Sequence, residues 1–147
     1  MNKIKESIKM AMKEDITVKE SGFKVGDILV GQTHMYRTIT YWYEIVRVTE
    51  KRVELKELPV AYKTAYMSNT PGDSCMPVLN VKGNWFIPEG FPYTGQLREY
   101  KPVKGKVVRY TVNTTKGKST SVYVDLFGNY TPLLSLWDGA PGWVNCD

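Results

Sequence analysis

The residues able to do chemistry are few. The chain has one histidine, His34, between Thr33 and Met35 in an expected loop. A nucleophile needs a base beside it, and a lone loop imidazole reads as a solvated or hydrogen-bonding side chain. The two cysteines, Cys75 and Cys146, form no CxxC pair and no zinc spacing, since a structural zinc wants four such ligands. They read as free thiols of a reducing compartment. No GxSxG, Walker A, GxGxxG or HExxH occurs, and Asp27, Asp73 and Asp125 are scattered. The expectation is a protein that binds without catalysis and carries neither cofactor nor metal.

Two constellations suit binding. Tyr36, Arg37, Tyr41, Trp42, Tyr43 and Arg47 form the densest aromatic and basic cluster. Rings on a sheet can stack bases, and arginine adds phosphate contacts. Period-2 geometry sends half of such rings inward, so Tyr41 and Tyr43 read as core. Trp42 shares its face with Glu44 and is expected to be exposed. The second constellation is the run Arg98, Lys101, Lys104, Lys106, Arg109, Lys116 and Lys118, opposed only by Glu99. If those cations share one solvent face, they attract an anionic partner. Lysines on strand faces also serve solubility and edge protection.

These residues need elements to hold them. Ile4, Ile8 and Met12 recur on one face of an expected short helix over 3–14. From Gly22 the texture becomes strand-like. Lys24 to Val30 places a Gly-Asp turn before an apolar run. Tyr41 to Thr49 reads as a strand, Glu50-Lys51 as a two-residue turn, and Arg52 to Leu58 as the returning strand with Val53 and Leu55 on one side. Residues 59–96 hold five prolines and four glycines and read as a long irregular insertion with short strands at 78–81 and 84–87. Strands follow at 105–112, with a turn over 113–118, and at 119–127, with a turn at Gly128-Asn129. Trp137 is expected to pack inward where a last strand closes the barrel.

The 147 residues, 42% apolar and 24% charged, suit one domain with a real core, from an N-terminal extension over 1–20 through the insertion at 59–96. Frequent turns between short strands predict a mainly β fold, a small SH3-like barrel or curled antiparallel sheet with a short N-terminal helix. No run approaches the roughly 20 apolar residues of a membrane span, and the N-terminus lacks the apolar core of a signal peptide.

Gly26-Asp27-Ile28, then Thr33, Tyr36, Thr38, Tyr41 and Tyr43 before Ile45-Val46, the hairpin Val48-Thr49-x-Lys51, and Leu136-Trp137-Asp138-Gly139 carry a resemblance. With these motifs the chain resembles small accessory proteins of tailed bacteriophages and prophages, over 24–58 and 130–141. The resemblance implies a phage-encoded protein acting in a bacterial cytoplasm. Its expected partner is nucleic acid or a host ribonucleoprotein, in the manner of an anti-CRISPR-type inhibitor. Two alternatives stand beside it. One is a module that meets only protein or belongs to a virion; the other binds a small nucleotide in a pocket lined by Trp85 and Tyr93.

Overall fold

The computed structural model describes residues 13–34, 37–64, 72–113, 117–124 and 133–145. Six strands make a closed antiparallel barrel: β2 (Ile28–Thr33), β3 (Ile39–Val48), β4 (Arg52–Glu57), β10 (Val103–Asn113), β11 (Gly117–Tyr123) and β12 (Leu133–Leu136). Each neighbour in the barrel is the next barrel strand in the chain, and β12 returns to pair with β2. The small barrel expected from the sequence is what forms. Closure leaves no free edge on these six strands.

Strand alternation explains the interior. Tyr43 and Ile45 from β3, Val53 and Leu55 from β4, Val107, Val122, Leu29 and Leu134 point inward and are buried. Tyr41 packs against the same core, so both tyrosines lie where their period places them. At Gly105 a side chain has no room, because an added Cβ would stand 2.5 Å from Val122 Cγ1.

Between β4 and β10 the chain inserts β5 (Val60–Tyr62), β6 (Gly72–Pro77), β7 (Leu79–Val81), β8 (Asn84–Phe86) and β9 (Tyr93–Thr94). The strands expected at 78–81 and 84–87 correspond to β7 and β8. Lys82 and Gly83 both have positive φ, 53° and 87°, the backbone of a tight hairpin turn. The rest of the segment is less irregular than its prolines suggest. β5, β6 and β9 join β13 (Gly142–Asn145) in a second sheet of order β13-β6-β5-β9. Pro77 ends β6, where a missing N–H does little harm.

A second core lies outside the barrel, between its β2–β3 wall and this sheet. Trp42, Leu58 and Cys75 are its buried centre, with Ile28, Val30 and Trp137 packed around them. Trp42 is therefore not exposed; it is fully buried. Its face of β3 does point away from the barrel, but the insertion and β13 together cover that face. Trp137 does not close the barrel from inside. Its ring meets Trp42 edge to face, 6.1 Å between centroids at 79°, on the outer side.

At the N-terminal end the expected helix over 3–14 lies outside the described residues up to 12. Where it is described it is not helical. Lys13–Asp15 form β1, paired to β10 in the register Glu14↔Arg109. A ready strand ladder outweighs the marginal propensity of one short helix. A single helical turn, α1 (Val18–Ser21), follows with a capping box between Thr17 and Glu20. The Val18 N–H donates to the Glu50 carbonyl at the β3–β4 turn. The turn at 113–118 brings Asn113 opposite Gly117, while its residues 114–116 lie outside the described residues, as does the turn at Gly128-Asn129.

Candidate binding surfaces

Cross-strand register on the outer barrel wall brings five cations together. Arg47 of β3 stands opposite Glu54 of β4, and Glu54 stands opposite Lys104 of β10. Two residues along, Arg52 of β4 stands opposite Lys106 of β10. Opposite residues on adjacent strands lie about 5 Å apart, and residues two apart on one strand lie about 7 Å apart. Arg47, Arg52, Lys104 and Lys106 are all exposed, and Lys51 is exposed at the adjoining turn. Glu54 is a carboxylate inside this group, and Asp15 and Glu20 line a small cleft together with Lys51, Arg52 and Lys106. Glu54 reaches Arg47 at 3.9 Å, a surface pair of small energetic weight.

The β3–β4 turn that carries Lys51 lacks the usual Asn-Gly. Thr49 supplies the missing order. Its backbone N–H donates to the Arg52 carbonyl at 2.8 Å, and its Oγ1 accepts the Arg52 N–H at 3.2 Å. Side-chain satisfaction of a turn N–H lets ordinary residues occupy the corner.

The residues expected to bind fall into three groups. Arg47, Lys104 and Lys106 form the wall. Arg98, Lys101 and Arg109 do not join it. Arg98 is exposed in the segment before β10, its guanidinium 4.7 Å from the centre of the Tyr100 ring. Lys101 is exposed in the same segment. Arg109 is half-buried and reaches Glu14 at 3.8 Å, because β1 is laid beside it. Trp42 is removed by burial, as described, and Arg37 is exposed apart from the wall at the other end of β3. Tyr36 and Lys116 lie outside the described residues, and so does the Lys118 side chain on β11. Lys51 and Arg52 were missed. The signal for them is the hairpin register, which places Arg52 beside β10 once β4 and β10 are known to pair.

The Trp85 cavity holds about 250 Å³. Lys56 and Lys82 line it with Trp85, but Tyr93 does not. Glu44, Glu57 and Glu99 line it too, and these carboxylates oppose a phosphate. Lys56 already reaches Glu99 at 3.8 Å, and Glu99 accepts from Asn80 at 3.1 Å. Burial holds the Glu44 and Glu57 carboxyls above the ordinary carboxylate range, with Lys56 and Arg98 respectively pulling the other way.

A larger cleft of about 630 Å³ lies on the outer side of β2, β3 and β12, under the 137–142 loop. His34 stands at it, exposed, with Nδ1 3.3 Å from Thr38 Oγ1. Cys75 is buried nearby in the second core, and desolvation pushes its thiol up to about 12. Cys146 lies outside the described residues. Among the described residues no group of three or more His, Cys, Asp or Glu side chains is placed to hold a metal ion. No described helix is long and apolar enough to cross a membrane.

No protein-family model, no curated protein and no solved structure matches the chain.

Proposed function

We propose that this barrel is a non-catalytic binding protein whose β3–β4–β10 wall lies along a polyanion: a nucleic acid, or the nucleic acid of a host ribonucleoprotein. The observation that carries the reading is the pairing of Arg52 with Lys106 beside Lys104 and Arg47 on one exposed face. Cations at strand spacing neutralise successive phosphates and release counterions. Trp42, the ring expected to stack on bases, is buried. The wall accordingly reads backbone charge, with modest sequence preference. An accessory protein of the phage class that the sequence resembles would use such a wall to occupy a host nucleic-acid complex, as anti-CRISPR-type inhibitors do.

The test is a salt series of mobility shifts with a labelled duplex. Wild type is expected to bind with a Kd of about 1–100 µM near physiological salt, as non-specific binders do. Changing Arg52, Lys104 and Lys106 together to Glu should abolish the shift near physiological salt and, at lower salt where binding persists, lower the salt slope by roughly 2–3. An unaltered slope removes the wall from the interaction. No shift by wild type, with a discrete protein captured from nuclease-treated lysate, assigns the chain to the protein-only class.

A further inference from the structure

We infer that the cleft under the 137–142 loop is a second binding site, and that its ligand is a small neutral polyol, one or two sugar rings. The site lies on β12, β2 and the start of β3, on the other flank of the barrel from the basic wall.

Its size comes first. About 630 Å³ falls in the range of pockets that enclose a small organic molecule and exceeds what one ammonium or guanidinium head needs. Charge comes next. Among the described residues Asp138 is the only acidic or basic side chain, His34 aside, that lines the cleft, and neither Lys nor Arg lines it. A phosphate or carboxylate ligand would meet repulsion and no counter-charge. The ligand is therefore neutral or cationic.

The polar groups decide between those two. Gln32 donates its Nε2 to Thr40 Oγ1 at 3.0 Å. Thr40 Oγ1 is itself held by the Trp143 backbone, donating to the carbonyl at 2.7 Å and accepting from the N–H at 3.1 Å. This chain fixes the Gln32 amide and leaves its Oε1 as the acceptor. Asp138 accepts the Ala140 N–H through Oδ1 at 2.9 Å, which orients the carboxylate. Ser135 and His34 add groups able to donate as well as accept. Vicinal hydroxyls, each both donor and acceptor, suit this mixture. A cation, which only donates, leaves half of it unused.

The remaining feature is a flat apolar surface. Trp137 is half-buried and locked twice, by its Nε1–H to the Ala140 carbonyl at 2.8 Å and by its edge contact with Trp42. Trp42 is fully buried and supports Trp137 from behind. One immobilised indole beside oriented polar groups matches the two faces of a sugar ring, apolar C–H on one side and hydroxyls at the rim.

The experiment is titration of the whole chain with glucose, mannose, galactose, N-acetylglucosamine, maltose and lactose, read by tryptophan fluorescence and calorimetry. Arginine and tetramethylammonium chloride are the cationic comparison. At least one sugar is expected to saturate with a Kd below about 10 mM. That binding should weaken at least about tenfold in both Asp138→Asn and Gln32→Ala, each at an exposed side chain. It should persist in the Lys104→Glu, Lys106→Glu double variant, so that failure here and failure of the basic wall are separable. The inference is overturned if no sugar saturates, if either cation binds more tightly than every sugar, or if sugar binding survives both cleft variants.

Discussion

Tyr43 carries its hydroxyl into the barrel and leaves it buried without a hydrogen-bond partner among the described residues. Burial raises its pKa, and the nearby Glu57 carboxylate adds to the rise. An unmet buried polar group costs about 1–3 kcal/mol. Tyr43→Phe keeps the ring and removes that cost, so it should raise the urea midpoint without changing the slope. Glu57 makes the complementary case. Burial raises its native pKa, so the folded chain takes up the proton more readily than the unfolded chain. Its stabilising contribution is complete below the unfolded carboxyl pKa and is lost as pH rises through the raised native value. Glu57→Gln should flatten the fall in urea midpoint as pH rises above about 4, the unfolded carboxyl value. Trp42 shows where the residue scale was illegible. Alternation correctly set it on the face opposite Tyr43. It could not say that a second sheet, made of three strands of the proline-rich insertion and β13, lies on that face. Trp42→Ala should cost about 3–5 kcal/mol, as large core truncations do.

At the scale of elements, the β3–β4 hairpin was readable because Val53 and Leu55 alternate with charged residues and the preceding strand is aromatic. The device that holds its corner was not, since a threonine side chain replaces the expected turn residue. Thr49→Val should lower stability by about 1 kcal/mol, measured by chemical denaturation. Lys13–Asp15 were misread for a different reason. Their helical period is local, whereas the β10 ladder that captures them is supplied almost a hundred residues later. Sequence separation also hid Arg52 from the basic set, because its neighbour Lys106 belongs to a strand beyond the whole insertion. Gly105 was noticed only as the start of a strand. Its true role is to let β10 approach Val122 and Tyr123, and Gly105→Val should overpack the barrel by about 1–3 kcal/mol.

For the whole molecule, two cores share one wall. β2 and β3 present Leu29, Tyr43 and Ile45 to the barrel and Val30 and Trp42 to the second sheet. That arrangement keeps Cys75 out of solvent with its thiol protonated. In a Cys146→Ser variant, a thiol-reactive dye should leave the native protein unlabelled and react only on unfolding. The small β barrel follows from strand alternation and frequent turns. The sharing of a wall does not, because it depends on where the inserted sheet docks.

Of the barrel's staves β12 is the most sparsely paired among the described residues. Among the described residues it meets β11 only through Leu133 and Leu134 and β2 only through Ser135 and Leu136, with Trp137 adding one N–H to the Ile28 carbonyl. Local opening should therefore begin here, and the Leu134 to Trp137 amides should trade hydrogen for deuterium before those of β3. Any molecule that grips Leu133, Ser135 and Trp137 at once would act as a hoop, slowing that exchange and the seam's unzipping without touching the barrel's interior.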